Sequence, residues 1–265
     1  MNIITINDLC FDYEEPLFEH FNLEVKEGTW LTLMGPNGSG KSTLIKILTG
    51  VIKTKTYIVI DGSFIKDSPN IARQKVGVVF DNPNNTFVAE TVYEEIAFVL
   101  ENQNQPKNKI RNEVNNIAEF LNIKSLLRKS PIELSNGEKC LVTLAAVLVA
   151  KPKILIVDEL LDHLDYVDKL ALTKILRDLN KDGLTVINVT HDIEQSLLGD
   201  ELLLLKQGKL VAHDSIVTIL RNEKLLKSVN LKQPFMLELS DKLKLYDLID
   251  STFLDMKGLV RALWK

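Results

Sequence analysis

Residues 35–43 combine residue types and a spacing that suit phosphate binding. Their sequence, Gly-Pro-Asn-Gly-Ser-Gly-Lys-Ser-Thr, satisfies the pattern G-x-x-x-x-G-K-[ST]. It follows the apolar run 29–34 and precedes a helical pattern, which is the context that this pattern requires. Glycine lets backbone N–H groups converge on phosphate oxygens, and the N-terminus of the next helix adds a partial positive charge. The segment therefore predicts a nucleotide-binding loop.

The loop also carries the groups that would act on a nucleoside triphosphate. Lys41 would reach the β- and γ-phosphates, and the Ser42 hydroxyl would bind Mg²⁺, which accepts charge as the γ-phosphoryl group leaves. ATP and Mg²⁺ are therefore the predicted cofactors. The predicted nucleotide-binding residues of the loop are Gly35, Pro36, Asn37, Gly38, Ser39, Gly40, Lys41, Ser42 and Thr43. The alternative, a glycine-rich turn without a ligand, is disfavoured by the flanking strand and helix.

An acidic pair ends a second apolar run, at 154–159. Carboxylates beside a buried strand must be solvated, paired or bound to metal. Asp158 would bind Mg²⁺ directly or through water, and Glu159 would orient and polarise the attacking water as a general base. The alternative is a strand end followed by helix-capping acids, which the phosphate loop disfavours.

Strands and helices must position these groups, and the hydropathy pattern predicts both. Period-two or all-apolar runs predict strands at 2–6, 22–25, 30–34, 57–60, 76–80, 154–157, 185–189, 201–206 and 209–213. Helical spacing predicts helices at 42–49, 91–101, 109–121, 137–150, 167–181, 193–198 and 215–222. Early strands, then helices, then alternating strands and helices are typical of an α/β nucleotide domain with a β-rich entry and a helical insertion.

The same pattern divides the chain into four parts. We expect residues 1–80 to form the first part of a nucleotide-binding core with a β-subdomain, and residues 81–150 to form a helical subdomain. Residues 151–222 are expected to complete the core, and residues 223–265 to form a small helical C-terminal extension. The predicted fold class is therefore α/β, with an antiparallel β entry, a helical insertion and a helical tail.

Composition excludes several classes of protein. The chain has 265 residues, 45% of them hydrophobic, which suits a globular core and excludes a mainly disordered protein. The net charge of −4 argues against a nucleic-acid partner. The longest apolar run, 141–150, is too short to cross a bilayer, and the N-terminus lacks the features of a secretory signal. With only two cysteines, the chain is expected to be cytoplasmic.

Three further segments show a family resemblance. They are Leu-Ser-Asn-Gly-Glu at 134–138, Asp-His-Leu-Asp at 162–165 and Val-Thr-His-Asp at 189–192. In this order, around the two phosphate-site elements, they resemble the signature motif, the D-loop and the switch histidine of an ABC transporter ATPase subunit. The resemblance implies that His191 is catalytic. It also implies that the signature acts on the nucleotide bound by a partner ATPase, through residues Ser135, Asn136, Gly137 and Glu138.

A closer resemblance covers 75–88 and 91–102, which are similar to the Q-loop and following helix of energy-coupling factor (ECF) ATPases. The tail, at 231–235 and 259–264, resembles the dimerising extension of the first of the two ECF paralogues. This implies a heterodimer with a second ATPase subunit on a transmembrane coupling protein, at the cytoplasmic face of the membrane. Substrate-binding membrane subunits would be indirect partners. The alternative for the tail is a solvated helical cap without a partner.

Two further positions are carried over from the family pattern. Tyr13 matches the aromatic A-loop residue that stacks on adenine, whereas a lone tyrosine more often serves strand packing. Asp81 stands where the Q-loop normally has glutamine, and it is predicted to bind Mg²⁺ and to take part in catalysis. Because aspartate is shorter and accepts only, we expect weaker coupling to the membrane subunit.

The signature and the D-loop also depart from the family pattern. Asn136 replaces a glycine, and we expect it to keep the backbone by adopting the left-handed conformation. Glu138 replaces glutamine and is expected to bring negative charge toward the partner's nucleotide. Asp162 stands where a small residue is common. These departures suggest an asymmetric ATPase pair.

Glu94 and Glu95 allow two interpretations. They could be a solvated helix face, or they could receive basic residues of coupling helices, as acids of this helix do in the ECF ATPases.

The predicted function is ATP binding and hydrolysis that energises an ECF-type importer of vitamins or other micronutrients. One alternative is the ATPase of a conventional ABC importer or exporter. Another is a nucleotide-binding regulatory half that hydrolyses ATP weakly. A soluble translation or repair ABC protein fits less well, because those proteins commonly carry two cassettes or long insertions.

Overall fold

The computed structural model describes residues 1–66, 70, 74–80 and 87–264. Within them, the strands are β1 (Asn2–Asp12), β2 (Pro16–Lys26), β3 (Trp30–Met34), β4 (Ile58–Ile60), β5 (Ser63–Phe64), β6 (Val76–Val79), β7 (Ile154–Asp158), β8 (Thr185–Val189), β9 (Glu201–Lys206) and β10 (Lys209–Ser215). The α-helices described over their full length are α1 (Lys41–Leu48), α2 (Val92–Asn102), α3 (Lys107–Phe120), α4 (Asn136–Leu148), α5 (Tyr166–Lys181), α6 (Ile193–Ser196), α7 (Ile216–Leu220), α8 (Glu223–Ser228), α9 (Phe235–Leu245) and α10 (Met256–Leu263).

The strands form two sheets. One is antiparallel, with the strand order β2-β1-β4-β5, and the other has the order β10-β9-β3-β8-β7-β6. In the second sheet all neighbours are parallel except β10, which pairs antiparallel with β9. The strands β3 and β8 are buried at every position, as expected for parallel strands covered on both faces.

The parallel sheet brings three predicted functional loops to one edge. The phosphate loop follows β3, the acidic pair lies at the end of β7, and His191 follows β8. Because β3, β7 and β8 are neighbours and run in the same direction, their carboxyl ends meet, which is where open α/β sheets place ligands.

Three helices cover one part of the parallel sheet. The buried residues of α2, α3 and α4 join one hydrophobic cluster with those of β7, including Ile96, Val114 and Leu144. A separate cluster fills the space between the two sheets and α1, including Ile6, Ile156 and Leu44.

The C-terminal helices pack on the far edge of the parallel sheet. Leu226 of α8 and Leu237 of α9 share a cluster with Leu202 and Leu204 of β9. A smaller cluster holds the end of the tail, where Met236, Ile249 and Leu259 are buried together. In the part of the chain that the structure describes, no helix combines the length and the apolar composition needed to span a bilayer.

The predicted α/β fold is confirmed, and the main difference lies in the first hairpin. The strand β1 continues to Asp12 and β2 begins at Pro16, whereas the pattern predicted strands at 2–6 and 22–25 only. Asp8 and His20 both have positive φ, and the β1–β2 register shifts around Leu9. These irregularities interrupt the period-two alternation on which the strand prediction rests.

Candidate functional site

Close packing and backbone conformation both require glycine in the loop 35–43. A Cβ on Gly35 would lie 2.1 Å from the Leu205 carbonyl oxygen. Gly38 and Gly40 have φ values of 76° and 106°, which residues with a Cβ rarely adopt. The three glycines thereby leave the loop backbone open toward the N-terminus of α1.

Lys41 lies inside this loop. Its side chain is 7% exposed, and Nζ donates to the carbonyl oxygens of Gly35 at 2.8 Å and Pro36 at 3.4 Å. Burial lowers the pKa of Lys41, and the negative charges of Glu159 and Asp158 oppose that shift. The Lys41 ammonium group has therefore lost part of its hydration. An anionic ligand in the loop would compensate that loss.

Ser39 supplies an observation that tests whether a phosphate group fits here. Its hydroxyl oxygen is buried and has no hydrogen-bond partner among the described residues. Its carbonyl oxygen accepts the Gly208 N–H at 2.8 Å, which attaches the loop to the turn between β9 and β10. A buried hydroxyl without a partner costs free energy, and a phosphate oxygen in the loop would accept its hydrogen bond.

Glu159 of the acidic pair contacts His191 directly. Glu159 follows β7 with a left-handed backbone, φ 54°, and its N–H donates to the Val189 carbonyl oxygen at 2.9 Å. His191 Nε2 lies 2.8 Å from Glu159 Oε1. The carboxylate and the imidazole therefore contact each other at the edge of the sheet.

One cleft joins these groups. It has a volume of 360 Å³, and its lining residues are Tyr13, Leu17, Asn37, Gly38, Ser39, Gly40, Lys41, Ser42, Thr43, Glu159 and His191. Tyr13 is 59% exposed, its ring packs edge-on against Phe11, and its hydroxyl lies 3.4 Å from Thr43 Oγ1. The cleft therefore offers an exposed aromatic face, a phosphate loop and a carboxylate–imidazole pair in one place.

Leu17 is a lining residue that the sequence analysis missed. It lies near the start of β2, in the half of the strand that was not predicted. Recognising the 16–26 segment as one irregular strand would have placed Leu17 beside the loop.

Comparisons with known proteins agree with this geometry. A family model described as ABC transporter matches residues 18–162. The energy-coupling factor transporter ATP-binding protein EcfA1 of Mesomycoplasma hyopneumoniae (strain 7448) is 35% identical over 270 residues, covering 99% of this chain and 98% of the relative. The protein of the same name from Lactobacillus johnsonii is 36% identical over 251 residues, covering 91% of this chain and 89% of the relative.

The chain belongs to the ECF-type ATP-binding proteins of the ABC transporter family. A solved structure agrees. The cbiO1 protein of Clostridium perfringens, described as part of the ABC transporter complex cbiONQ, superposes with a TM-score of 0.77 at 30% identity. The match covers 86% of this chain and 94% of that protein. The predicted family and the predicted ABC-type ATPase fold are both confirmed.

The signature motif of this ECF-type ATPase forms a capping box at the start of α4. The Ser135 hydroxyl accepts the Glu138 N–H at 3.2 Å, and the Glu138 carboxylate accepts the Ser135 N–H at 2.8 Å. The carboxylate of Glu138 thus accepts a hydrogen bond at the N-terminus of its own helix. The backbone of Asn136 is helical, so the expectation of a left-handed Asn136 is wrong.

Gly137 allows two helices to approach closely. A Cβ at this position would lie 2.1 Å from Asp168 Oδ2, in the first turn of α5. The absence of a side chain at Gly137 therefore leaves room for the Asp168 side chain of α5.

The carboxylates of Glu94 and Glu95 are both occupied within the chain. Glu94 accepts hydrogen bonds from the Thr91 N–H at 3.0 Å and the Thr91 hydroxyl at 2.9 Å. Glu95 is buried and accepts the N–H groups of Val88 at 2.9 Å and Ala89 at 3.0 Å. The pair is therefore not a simple solvated face, because Glu95 fixes the segment before α2. Asp81, predicted to bind Mg²⁺ and to act in catalysis, lies outside the described residues.

Proposed function

We propose that this chain binds ATP in the cleft between the phosphate loop and the Glu159–His191 pair, and that it hydrolyses ATP to energise an ECF-type importer of vitamins or other micronutrients. The observation that carries the proposal is the convergence of Lys41, Glu159 and His191 on one cleft, with Tyr13 at its rim. Membership of the ECF-type ATPases supports the coupling to transport.

Each side chain of the cleft has a distinct role in this mechanism. The Tyr13 ring stacks on adenine, and the loop N–H groups and Lys41 hold the phosphates. Glu159 accepts a proton from the water that attacks the γ-phosphorus, and the bond to the β–γ bridging oxygen breaks. His191 holds the Glu159 carboxylate through its 2.8 Å contact.

We propose that Mg²⁺ is held by the Ser42 hydroxyl, by Asp158 directly or through water, and by Asp81. Hydroxyl and carboxylate oxygens are the donors that Mg²⁺ prefers. When bound, it would neutralise charge that develops on the phosphate oxygens. Ser42 lies at the start of α1, after the loop that follows β3, and Asp158 ends β7. Only β8 separates β3 from β7 in the sheet.

The partners follow from the family. We propose a heterodimer with a second ABC ATPase, in which Ser135, Asn136, Gly137 and Glu138 act on the partner's nucleotide. The pair would dock on a transmembrane coupling protein at the cytoplasmic face of the membrane, and through it serve substrate-binding membrane subunits. In this arrangement 1–80 and 151–222 form the nucleotide-binding core, 81–150 the helical subdomain, and 223–265 the dimerisation extension.

Exposed apolar side chains support the role of the extension. Leu245 is 82% exposed and Trp264 is 79% exposed, and both belong to the tail. We propose that these exposed side chains are covered by the partner ATPase in the heterodimer.

Co-purification tests which transporter complex the chain belongs to. The tagged chain would be isolated from gently solubilised native membranes, and stoichiometric partners would be identified by mass spectrometry. We expect a second phosphate-loop ATPase, one common membrane protein and several small membrane proteins in lower amounts. Recovery of a matched pair of conventional permeases would overturn the ECF assignment and support the conventional-transporter alternative.

ATP hydrolysis by the purified complex tests the chemistry. Glu159→Gln should lower turnover by about 10²- to 10⁴-fold, the range that general bases contribute, with ATP binding retained. Glu119→Gln is the matched control, because the Glu119 side chain is 74% exposed and its carboxylate lies 3.6 Å from Lys124 Nζ. Turnover near the wild-type value in Glu159→Gln would identify the chain as a regulatory half.

A further inference from the structure

The Asp162 carboxylate connects two loops of the site. Thr190 Oγ1 donates to its two oxygens, at 2.9 Å from Oδ1 and 3.2 Å from Oδ2. Gln195 Nε2 donates to Oδ1 as well. Asp162 belongs to the turn after Glu159, whereas Thr190 and Gln195 flank His191, so the carboxylate joins the two loops that carry the candidate catalytic pair.

The donors to Asp162 are fixed and buried. Thr190 and Gln195 are both almost fully buried. Gln195 Oε1 accepts the amide of Asn188 at 3.3 Å, which turns its own NH₂ group toward Asp162. The Thr190 hydroxyl also accepts the Asp192 N–H at 3.0 Å, which leaves its proton for the carboxylate. An acceptor is therefore required at this position, because buried donors without one cost free energy.

These contacts close a ring around the catalytic pair. The Asp162 N–H donates to the Glu159 carbonyl oxygen at 3.1 Å, and His191 Nε2 lies 2.8 Å from Glu159 Oε1. Thr190, directly before His191, bonds back to the Asp162 carboxylate. Hydrogen bonds of Asp162 thus connect the turn after Glu159 with the residue before His191.

We propose that Asp162 is a positioning residue for ATP hydrolysis: it holds the Glu159 turn and the His191 loop in register without being part of the cleft lining. This inference rests on the proposed function. A carboxylate suits the task because both oxygens accept and two donors face it. Alanine at this position would leave the Gln195 amide without its acceptor.

The first test compares turnover with nucleotide binding. Asp162→Ala should lower kcat by roughly 10- to 100-fold, because small misplacements of catalytic groups have effects of that size, while KM and the Kd of a fluorescent ATP analogue stay near wild type. Asp178→Asn is the control, since Asp178 is on the exposed face of α5 and its ion pair with Lys181 spans 3.8 Å. Thermal unfolding would verify that both variants fold.

A hydrogen-bond exchange supplies the second test. Gln195→Glu places a carboxylate against Asp162 and should lower kcat to a similar degree. Adding Asp162→Asn to it should restore most of the turnover, because the asparagine amide then donates to the new glutamate, and Asn188 still donates to that glutamate. Equal thermal midpoints for the two single variants and the double variant would show that the loss and its reversal concern kcat and not folding.

The outcomes separate this inference from the proposed function. Wild-type kcat in Asp162→Ala, a loss confined to KM, or a double variant as slow as Gln195→Glu alone would each overturn the positioning role and leave the ATPase intact. A wild-type complex without Glu159-dependent turnover would overturn the proposed function, and this inference with it.

Discussion

Glu159 and His191 contact each other because of the register between two parallel strands. Asp158, the last residue of β7, is the register partner of Val189, the last residue of β8. Each catalytic candidate follows one of these strand ends, and the Glu159 N–H continues the ladder by donating to the Val189 carbonyl oxygen. The register of β7 and β8 therefore places His191 Nε2 within 2.8 Å of Glu159 Oε1.

The first prediction is that these two residues act as one unit. His191→Gln should lower kcat, and Glu159→Gln should lower it further, by about 10²- to 10⁴-fold. The double variant should be no slower than Glu159→Gln alone, because the imidazole has no carboxylate left to hold. Steady-state ATPase rates of the complex give the double-mutant cycle. Multiplicative losses would instead mean that His191 acts independently of Glu159.

The second prediction concerns the pH dependence of nucleotide binding. Burial lowers the pKa of Lys41 in the free protein, and bound phosphates, being anionic, should raise it. At alkaline pH, nucleotide binding is therefore coupled to proton uptake by Lys41. The affinity for the nucleotide falls as the pH rises through the pKa of Lys41 in the free protein.

Calorimetry of ATP-analogue binding checks this sign. Titrations at about pH 9, an alkaline condition still below the ordinary lysine pKa, would be run in two buffers of different ionisation enthalpy. Proton uptake is expected in the wild type and should disappear in Lys41→Met. Equal heats in both buffers for the wild type would contradict the prediction.

Local patterns made the centre of the site predictable from sequence. The phosphate loop needs glycines and a lysine at fixed offsets, and β7 is an apolar run that ends in Asp158 and Glu159. His191 follows β8, in which three of the five residues are apolar. Since all three strands are parallel neighbours, placing their ends together required only the fold class.

The remaining features depend on tertiary contacts that leave no local signal. Glu95 has the sequence neighbours of a surface acid, but it is buried because the backbone of Val88 and Ala89 turns back over it. Asp162 differs from the family pattern, yet its donors Thr190 and Gln195 lie about thirty residues further along the chain. Only the folded structure brings such groups within hydrogen-bond distance.

The third prediction contrasts two adjacent glutamates. Glu95→Ala removes the acceptor of two backbone N–H groups at a buried site and should destabilise the protein by about 1–3 kcal/mol. Glu94→Ala loses an exposed hydrogen bond of the capping box with Thr91 without leaving a buried donor unpaired, which should cost about 0.5–1.5 kcal/mol.

Urea unfolding of the two variants measures the difference. Glu95→Ala should have the lower midpoint of the pair, and native-state hydrogen exchange should locate the loss of protection at Val88 and Ala89. A lower midpoint for Glu94→Ala would show that the cap, and not the buried carboxylate, holds this segment.

The fourth prediction concerns the close approach of α4 and α5. Gly137→Ala puts a methyl group against the Asp168 carboxylate, at a built distance of 2.1 Å from Oδ2. Overpacking of this kind typically costs about 1–3 kcal/mol. Asp168→Ala in the same chain makes room, so the double variant should be no less stable than Asp168→Ala alone. Additive losses in chemical denaturation would contradict this packing account.

The fifth prediction distinguishes the two thiols. Cys140 is 4% exposed, and burial, aided by the negative charge of Asp168, raises its pKa to about 11. Cys10 is exposed. The reactive species is the thiolate, so Cys140 should remain unmodified in the native protein while Cys10 reacts.

The raised pKa favours protonated Cys140 in the folded state, so this contribution to stability is complete below the unfolded pKa and is lost as the pH rises toward 11.

Iodoacetamide labelling followed by peptide mass spectrometry checks both parts. One modified thiol is expected in the native chain at neutral to mildly alkaline pH, and two are expected in denaturant. Cys140→Ala should lose less unfolding free energy than the wild type as the solution is made more alkaline, whereas Cys10→Ala should follow the wild-type curve. Rapid native labelling of Cys140 would mean that the N-terminal half of α4 opens away from α5, and the Gly137→Ala variant should then label faster still.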